Sequence, residues 1–156
     1  MEERAGDDIR DAESELYAEL LGEVRVIAGA RELLCKLKDR DLAAILASSA
    51  SSDEVERYIE LLDATGLVDG WTTPNDVSEA KPSPDLIEAA LEKAGTREAI
   101  MIGDTTWDIQ AAKKAGIETL AVLSGGFGED ELRRAGATKV YDSIVDLSRD
   151  IEVWAQ

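Results

Sequence analysis

The chain has 156 residues, about one domain on a prior of ~150 residues each. Residues of the apolar set make up 44% of it, and no apolar run approaches the ~20 residues of a membrane span, which excludes a disordered tail and a membrane-spanning helix. Thirty-four Asp and Glu against 17 Lys and Arg leave a formal net charge of −17, which repels nucleic acid and anionic membrane alike and excludes both as partners.

The hydrophobic period switches repeatedly between the helical and the extended kind. Asp8 to Leu21 reads as a helix with Ile9, Ala12, Leu16, Leu20 and Leu21 on one stripe, and Ala28 to Lys38 as a second helix carrying Leu33, Leu34 and Leu37. Leu42 to Ala47 is a continuous apolar run too short for an independent helix, which suits a buried parallel strand. The serine cluster SSASS follows, then a capped helix from Ser52 to about Thr65 and a short strand at Trp71–Thr72. Beyond the loop TPNDVSEAKPSP, Pro84 opens the helix PDLIEAALEKAG. A strand at Ala99 to Ile102, a helix at Thr106 to Ala115 and a strand at Thr119 to Leu123 come next. The remainder predicts a short helix at Asp130 to Ala135, a strand at Lys139 to Tyr141 and a last helix at Ile144 to Trp154. Such alternation predicts an α/β fold with a parallel sheet and helices on both faces, in which ligands collect beyond the carboxyl ends of the strands.

Three post-strand features carry chemistry. Ser48-Ser49-Ala50-Ser51 leads into a helix start, where hydroxyls and free N–H groups suit an anion, although serines there also serve as caps. Lys81 lies in the stiff loop KPSPD, aimed at one place or simply solvated. Asp104 follows an apolar strand and Gly103, with Asp108 four residues on; two carboxylates so spaced can hold a hard dication such as Mg²⁺, or else act as helix cap and solvated side chain. Cys35 is the only cysteine and there is no histidine, which excludes a disulfide framework, a Cys-based zinc site and every His-dependent triad. Cys35 is expected to be a small core residue, Trp107 to pack against the sheet, and SGGFG to be a flexible turn at the site edge.

Taken together, ILASSAS, KPSPD and IGDTTWDIQAAKKAG resemble, in order and spacing, the second, third and fourth motifs of the haloacid dehalogenase superfamily, in its phosphatase and phosphoglucomutase-like branch. The likeness runs from about Glu23 to Tyr141. It implies a Rossmannoid core over residues 23–156, preceded by a remnant of a helical cap over 1–22. By position it makes Ser48, with Ser49, the phosphate-binding hydroxyls, Lys81 the cation that steadies the phosphoryl group, Asp104 the Mg²⁺ ligand and Asp108 its acidic partner. The implied reaction is Mg²⁺-dependent hydrolysis of a small phosphorylated metabolite. The acidic start MEERAGDDIR, with no apolar stretch after a basic one, lacks the pattern of a secretory or mitochondrial targeting segment, so a cytoplasmic address is the default expectation.

The pattern breaks at its beginning. Family members open on an apolar strand ending in DxDGT, whose first Asp is the nucleophile, and residues 1–156 contain no such segment. In this fold that strand is the central one, between the strand of Ser48 and the strand of Asp104. Its absence predicts a gap of ~10 Å with two unpaired edges, closed by collapse or filled by another segment. The chain alone is therefore expected to be inactive, with a complementing N-terminal segment or an oligomer as its partner. The alternative is a non-catalytic remnant that binds phosphate or protein.

Overall fold

A computed structural model of the chain describes residues 24–76 and 83–154. The expected helix at Asp8 to Leu21 and the cap remnant at 1–22 lie outside the described residues, as does Lys81. The described elements run α1 (Ala30–Lys38), β1 (Ile45–Leu46), α2 (Ser52–Leu61), β2 (Gly70–Trp71), a 3-10 turn (Pro74–Asp76), α3 (Asp85–Ala94), β3 (Ile100–Gly103), α4 (Thr106–Ala115), β4 (Glu118–Val122), α5 (Glu129–Ala135), β5 (Lys139–Tyr141) and α6 (Ile144–Trp154). No helix among them is long and apolar enough to cross a membrane.

All strand pairs are parallel, but they form two sheets: β1 with β2, and β3-β4-β5 with β4 central. The single sheet expected from the alternation is thus divided. Helices cover both faces of the three-stranded sheet, because alternate residues of a strand point to opposite sides. Leu120 and Val122 pack with Leu33 of α1 and with Leu147 and Ile151 of α6. Ala121, between them, packs on the other face with Ile109 of α4 and Leu132 of α5.

Two helices hold the sheets in relation to each other. On one side Ile87 and Leu91 of α3 share a cluster with Ala47, just past β1, and Met101 of β3. On the other side α1 divides its face: Leu33 joins the cluster of β4 and α6, while its neighbour Leu34 joins Val55, Ile59, Leu46 and Trp71 around β1 and β2. Between β1 and β3 a cavity of about 560 Å³ remains open. The two strands have not closed up.

Local signals place the helices as expected. Ser51 rather than Ser52 caps α2: its hydroxyl oxygen accepts the Glu54 N–H at 3.4 Å, and its own N–H donates to Glu54 Oε2 at 2.8 Å. The apolar run Leu42 to Ala47 yields a strand of only two residues, since its ladder has one neighbour, β2. Trp107 is not buried on the sheet; it is 51% exposed and sets its ring edge-to-face on Phe127, centroids 5.4 Å apart. Cys35 is half-buried and accepts an Arg31 N–H at its sulfur.

Candidate active site

Ser48 and Asp104 come from different sheets, and both line the cavity between β1 and β3, near Ser124 and Asp108. Asp104 directly follows β3 and Ser48 stands two residues past β1, at the edge where an open α/β sheet collects ligands.

The loop after β3 is built around Asp108. Its Oδ2 accepts the Thr105 hydroxyl at 2.8 Å, the Thr105 N–H at 3.1 Å and the Asp104 N–H at 3.3 Å. The Asp108 N–H returns a bond to Thr105 Oγ1 at 3.1 Å, completing a capping box at the start of α4. Asp108 is 5% exposed, so it is not a solvated helix residue: its Oδ2 braces the turn that presents Asp104. Gly103 is required by the same packing, because a Cβ there would lie 2.6 Å from Asp108 Cβ.

A loop given little weight in the sequence holds the other side of Asp104. Ser124, just past β4, donates its hydroxyl to Asp104 Oδ2 at 2.7 Å. Gly125 passes so close that a Cβ there would meet the Asp104 carbonyl oxygen at 2.2 Å and Asp104 Cγ at 2.8 Å. The segment SGGFG is therefore part of the site and fixes the orientation of Asp104. A serine and two glycines directly after a central strand were the available signal.

Ser48 has an equivalent brace that the sequence did not reveal. The buried Thr72, just past β2, accepts the Ser48 N–H at 2.9 Å and donates its hydroxyl to the Ser48 carbonyl at 2.7 Å. The Ser48 hydroxyl oxygen accepts the Ala50 N–H at 3.1 Å, in a tight turn. Ser49 is exposed at the same turn. The structure thus brings Ser48, Asp104 and Asp108 together.

A hard dication such as Mg²⁺ needs oxygen donors and commonly takes one or two carboxylates with waters. Asp104 at the cavity wall satisfies that, although no group of three or more metal-ligating side chains occurs among the described residues. The donor set fits Mg²⁺ with much of its shell supplied by water or by a bound oxyanion.

Hydroxyls and carboxylates at the carboxyl ends of parallel strands define a Rossmannoid α/β protein with a candidate ligand site at that edge. Residues 2–122 match the family model described as haloacid dehalogenase-like hydrolase, and the chain belongs to that family. It is similar to pyrophosphatase PpaX of Halalkalibacterium halodurans, 27% identical over 121 residues, covering 76% of this chain and 56% of that protein. It is also similar to the phosphoglycolate phosphatase of Rhodospirillum rubrum, 26% identical over 124 residues and covering 78% and 51%. Among solved structures, a hydrolase from Pseudomonas syringae superposes with a TM-score of 0.85 at 31% identity, over 94% of this chain and 71% of that one. CbbY from Rhodobacter sphaeroides in complex with phosphate superposes at 0.77 with 26% identity, over 90% and 65%. The chain spans about half the length of these two curated relatives.

Proposed function

We propose that this chain carries most of the catalytic core of a Mg²⁺-dependent phosphate-ester hydrolase acting on a small phosphorylated metabolite. The observation that carries the reading is that Ser48 and Asp104, each just past its strand and from separate sheets, line one cavity. Relatives named as phosphatases and a structural relative in complex with phosphate support the same chemistry.

In this reading Ser48, with Ser49 beside it, donates to phosphoryl oxygens, and Lys81 supplies the positive charge that a chain at −17 must place deliberately. Mg²⁺ held by Asp104 would neutralise charge on the transferring group, the main need in phosphoryl transfer. Ser124 fixes the rotamer of Asp104 and Asp108 fixes its backbone, so the ligand is held in place before anything binds. Thr72 does the same for Ser48.

Covalent phosphoryl transfer needs a carboxylate in line with phosphorus, and none of the described residues supplies a third acid at this site. The 156-residue chain by itself is therefore expected not to turn over para-nitrophenyl phosphate, whereas the same chain preceded by a strand ending in DxDGT gains Mg²⁺-dependent turnover. Robust Mg²⁺-dependent activity of the 156-residue chain that vanishes in Lys81→Ala would show that a nucleophile lies within it. Absence of hydrolysis in the extended chain, with the fold intact by circular dichroism, would sink the hydrolase reading.

A further inference from the structure

Both carboxylates of the site have one oxygen committed to donors of the chain itself. Asp104 Oδ2 accepts the Ser124 hydroxyl at 2.7 Å, while Asp104 Oδ1 takes no donor among the described residues. Asp108 Oδ2 accepts the Thr105 hydroxyl and the Thr105 and Asp104 N–H groups, so Asp108 offers a cation one oxygen at most. The loop of Ser124 also backs the Asp104 carboxyl closely, since a Cβ on Gly125 would lie 2.8 Å from Asp104 Cγ. Turning that carboxylate to bring both oxygens to one ion means displacing the loop or giving up the Ser124 bond.

That arrangement discriminates between hard dications. Mg²⁺ demands near-ideal octahedral geometry and commonly takes one or two carboxylates, with waters for the rest. Ca²⁺ takes more oxygens in a looser shell and gains from carboxylates that give both of theirs. No group of three or more metal-ligating side chains occurs among the described residues, so a carboxylate that chelates with both oxygens is the way these side chains would meet the larger demand.

We propose that Ser124 sets the preference of this site for Mg²⁺ over Ca²⁺ by holding Asp104 to a single coordinating oxygen. Ser124 acts through Asp104 and is a positioning residue. The inference rests on the reading of Asp104 as the metal ligand, and its test separates the two. The amide resonances of Asp104 and Thr105 are followed by NMR in the isotope-labelled 156-residue chain, in separate titrations with MgCl₂ and CaCl₂ at constant ionic strength. These amides report this site apart from the other acids of a chain at −17. The expected result is tighter Mg²⁺ than Ca²⁺ binding in the wild type. Ser124→Ala should lower the ratio of the Ca²⁺ to the Mg²⁺ dissociation constant at least about fivefold, the scale of one hydrogen bond, mainly by strengthening Ca²⁺. Ser124→Thr keeps a hydroxyl at this exposed position and should restore the wild-type ratio. A hydroxyl that only stiffened the loop would weaken both ions alike. An unchanged ratio in Ser124→Ala, or a lowered one that Ser124→Thr does not restore, therefore overturns the proposal and leaves Asp104 as the ligand. Amides that respond to neither ion in the wild type, or that respond equally in Asp104→Asn, would remove the metal reading itself and the proposal with it.

Discussion

Asp104 and Asp108 stand four residues apart, yet the geometry gives them opposite duties, and their substitution should separate them. Asp108 is buried and its Oδ2 collects three donors, two of them main-chain N–H groups. Asp108→Ala leaves those N–H groups with no carboxylate and dissolves the capping box. Loss of a cap costs ~0.5–2 kcal/mol, and hydrogen bonds to a charged acceptor contribute ~1.5–3 kcal/mol each. The bonds at 3.1 and 3.3 Å are long and the terms overlap, so about 2–4 kcal/mol is the expected total. With a urea m-value of ~2 kcal/mol/M, the unfolding midpoint should fall by about 1–2 M. Asp104→Asn, by contrast, keeps an acceptor for the exposed Ser124 hydroxyl and should move the midpoint by less than about 0.3 M. Both are measured by circular dichroism in EDTA, so that no metal contributes. If Asp108→Ala shifts the midpoint no more than Asp104→Asn does, the bracing role is wrong and Asp108 belongs with the ligands.

Three further outcomes follow from the same contacts. Gly125→Ala should push Asp104 aside, because its Cβ would overlap the Asp104 carbonyl oxygen; Mg²⁺ affinity by calorimetry should fall at least about tenfold, and unchanged affinity would show that the loop does not position the ligand. Thr72→Val leaves the Ser48 N–H and carbonyl without their partner and should cost about 1–3 kcal/mol in urea unfolding; a cost near zero would mean that the site turn stands without it. Asp69 accepts the Ala44 N–H, the larger effect, and Lys38 Nζ, which together hold its carboxyl below the usual range; its folded value lies under the unfolded one, so its stabilisation is present above about pH 4 and lost as pH falls from there through the folded value. The stability difference between wild type and Asp69→Asn should therefore shrink below about pH 4, and a difference that persists undiminished under strong acid would contradict it.

The elements that depend on local signals were legible. The helix at Thr106 to Ala115, the strand at Lys139 to Tyr141 and the helix at Ile144 to Trp154 fall where periodicity and glycine stops place them. The strands of Ser48 and Asp104 were legible too, and a cavity lies between them. What escaped were contacts made only in space. Ser124 and Gly125 matter because the loop after β4 crosses the loop after β3, and Thr72 because β2 lies beside β1; no spacing along the chain encodes either approach. The capping role of Asp108 was written in the Thr105-Thr106-Trp107-Asp108 spacing, beside the metal reading of the same residue.

The central claim is that Ser48, Lys81 and Asp104 form one site for phosphate and Mg²⁺. It is tested most directly by ³¹P line broadening of inorganic phosphate at ~1 mM with the 156-residue chain, with and without Mg²⁺, in wild type, Lys81→Ala, Asp104→Ala and the distant exposed Glu92→Ala. The account predicts Mg²⁺-enhanced broadening in wild type and Glu92→Ala that is lost in Lys81→Ala, with the Mg²⁺ enhancement lost in Asp104→Ala. Broadening that survives both site substitutions would contradict it.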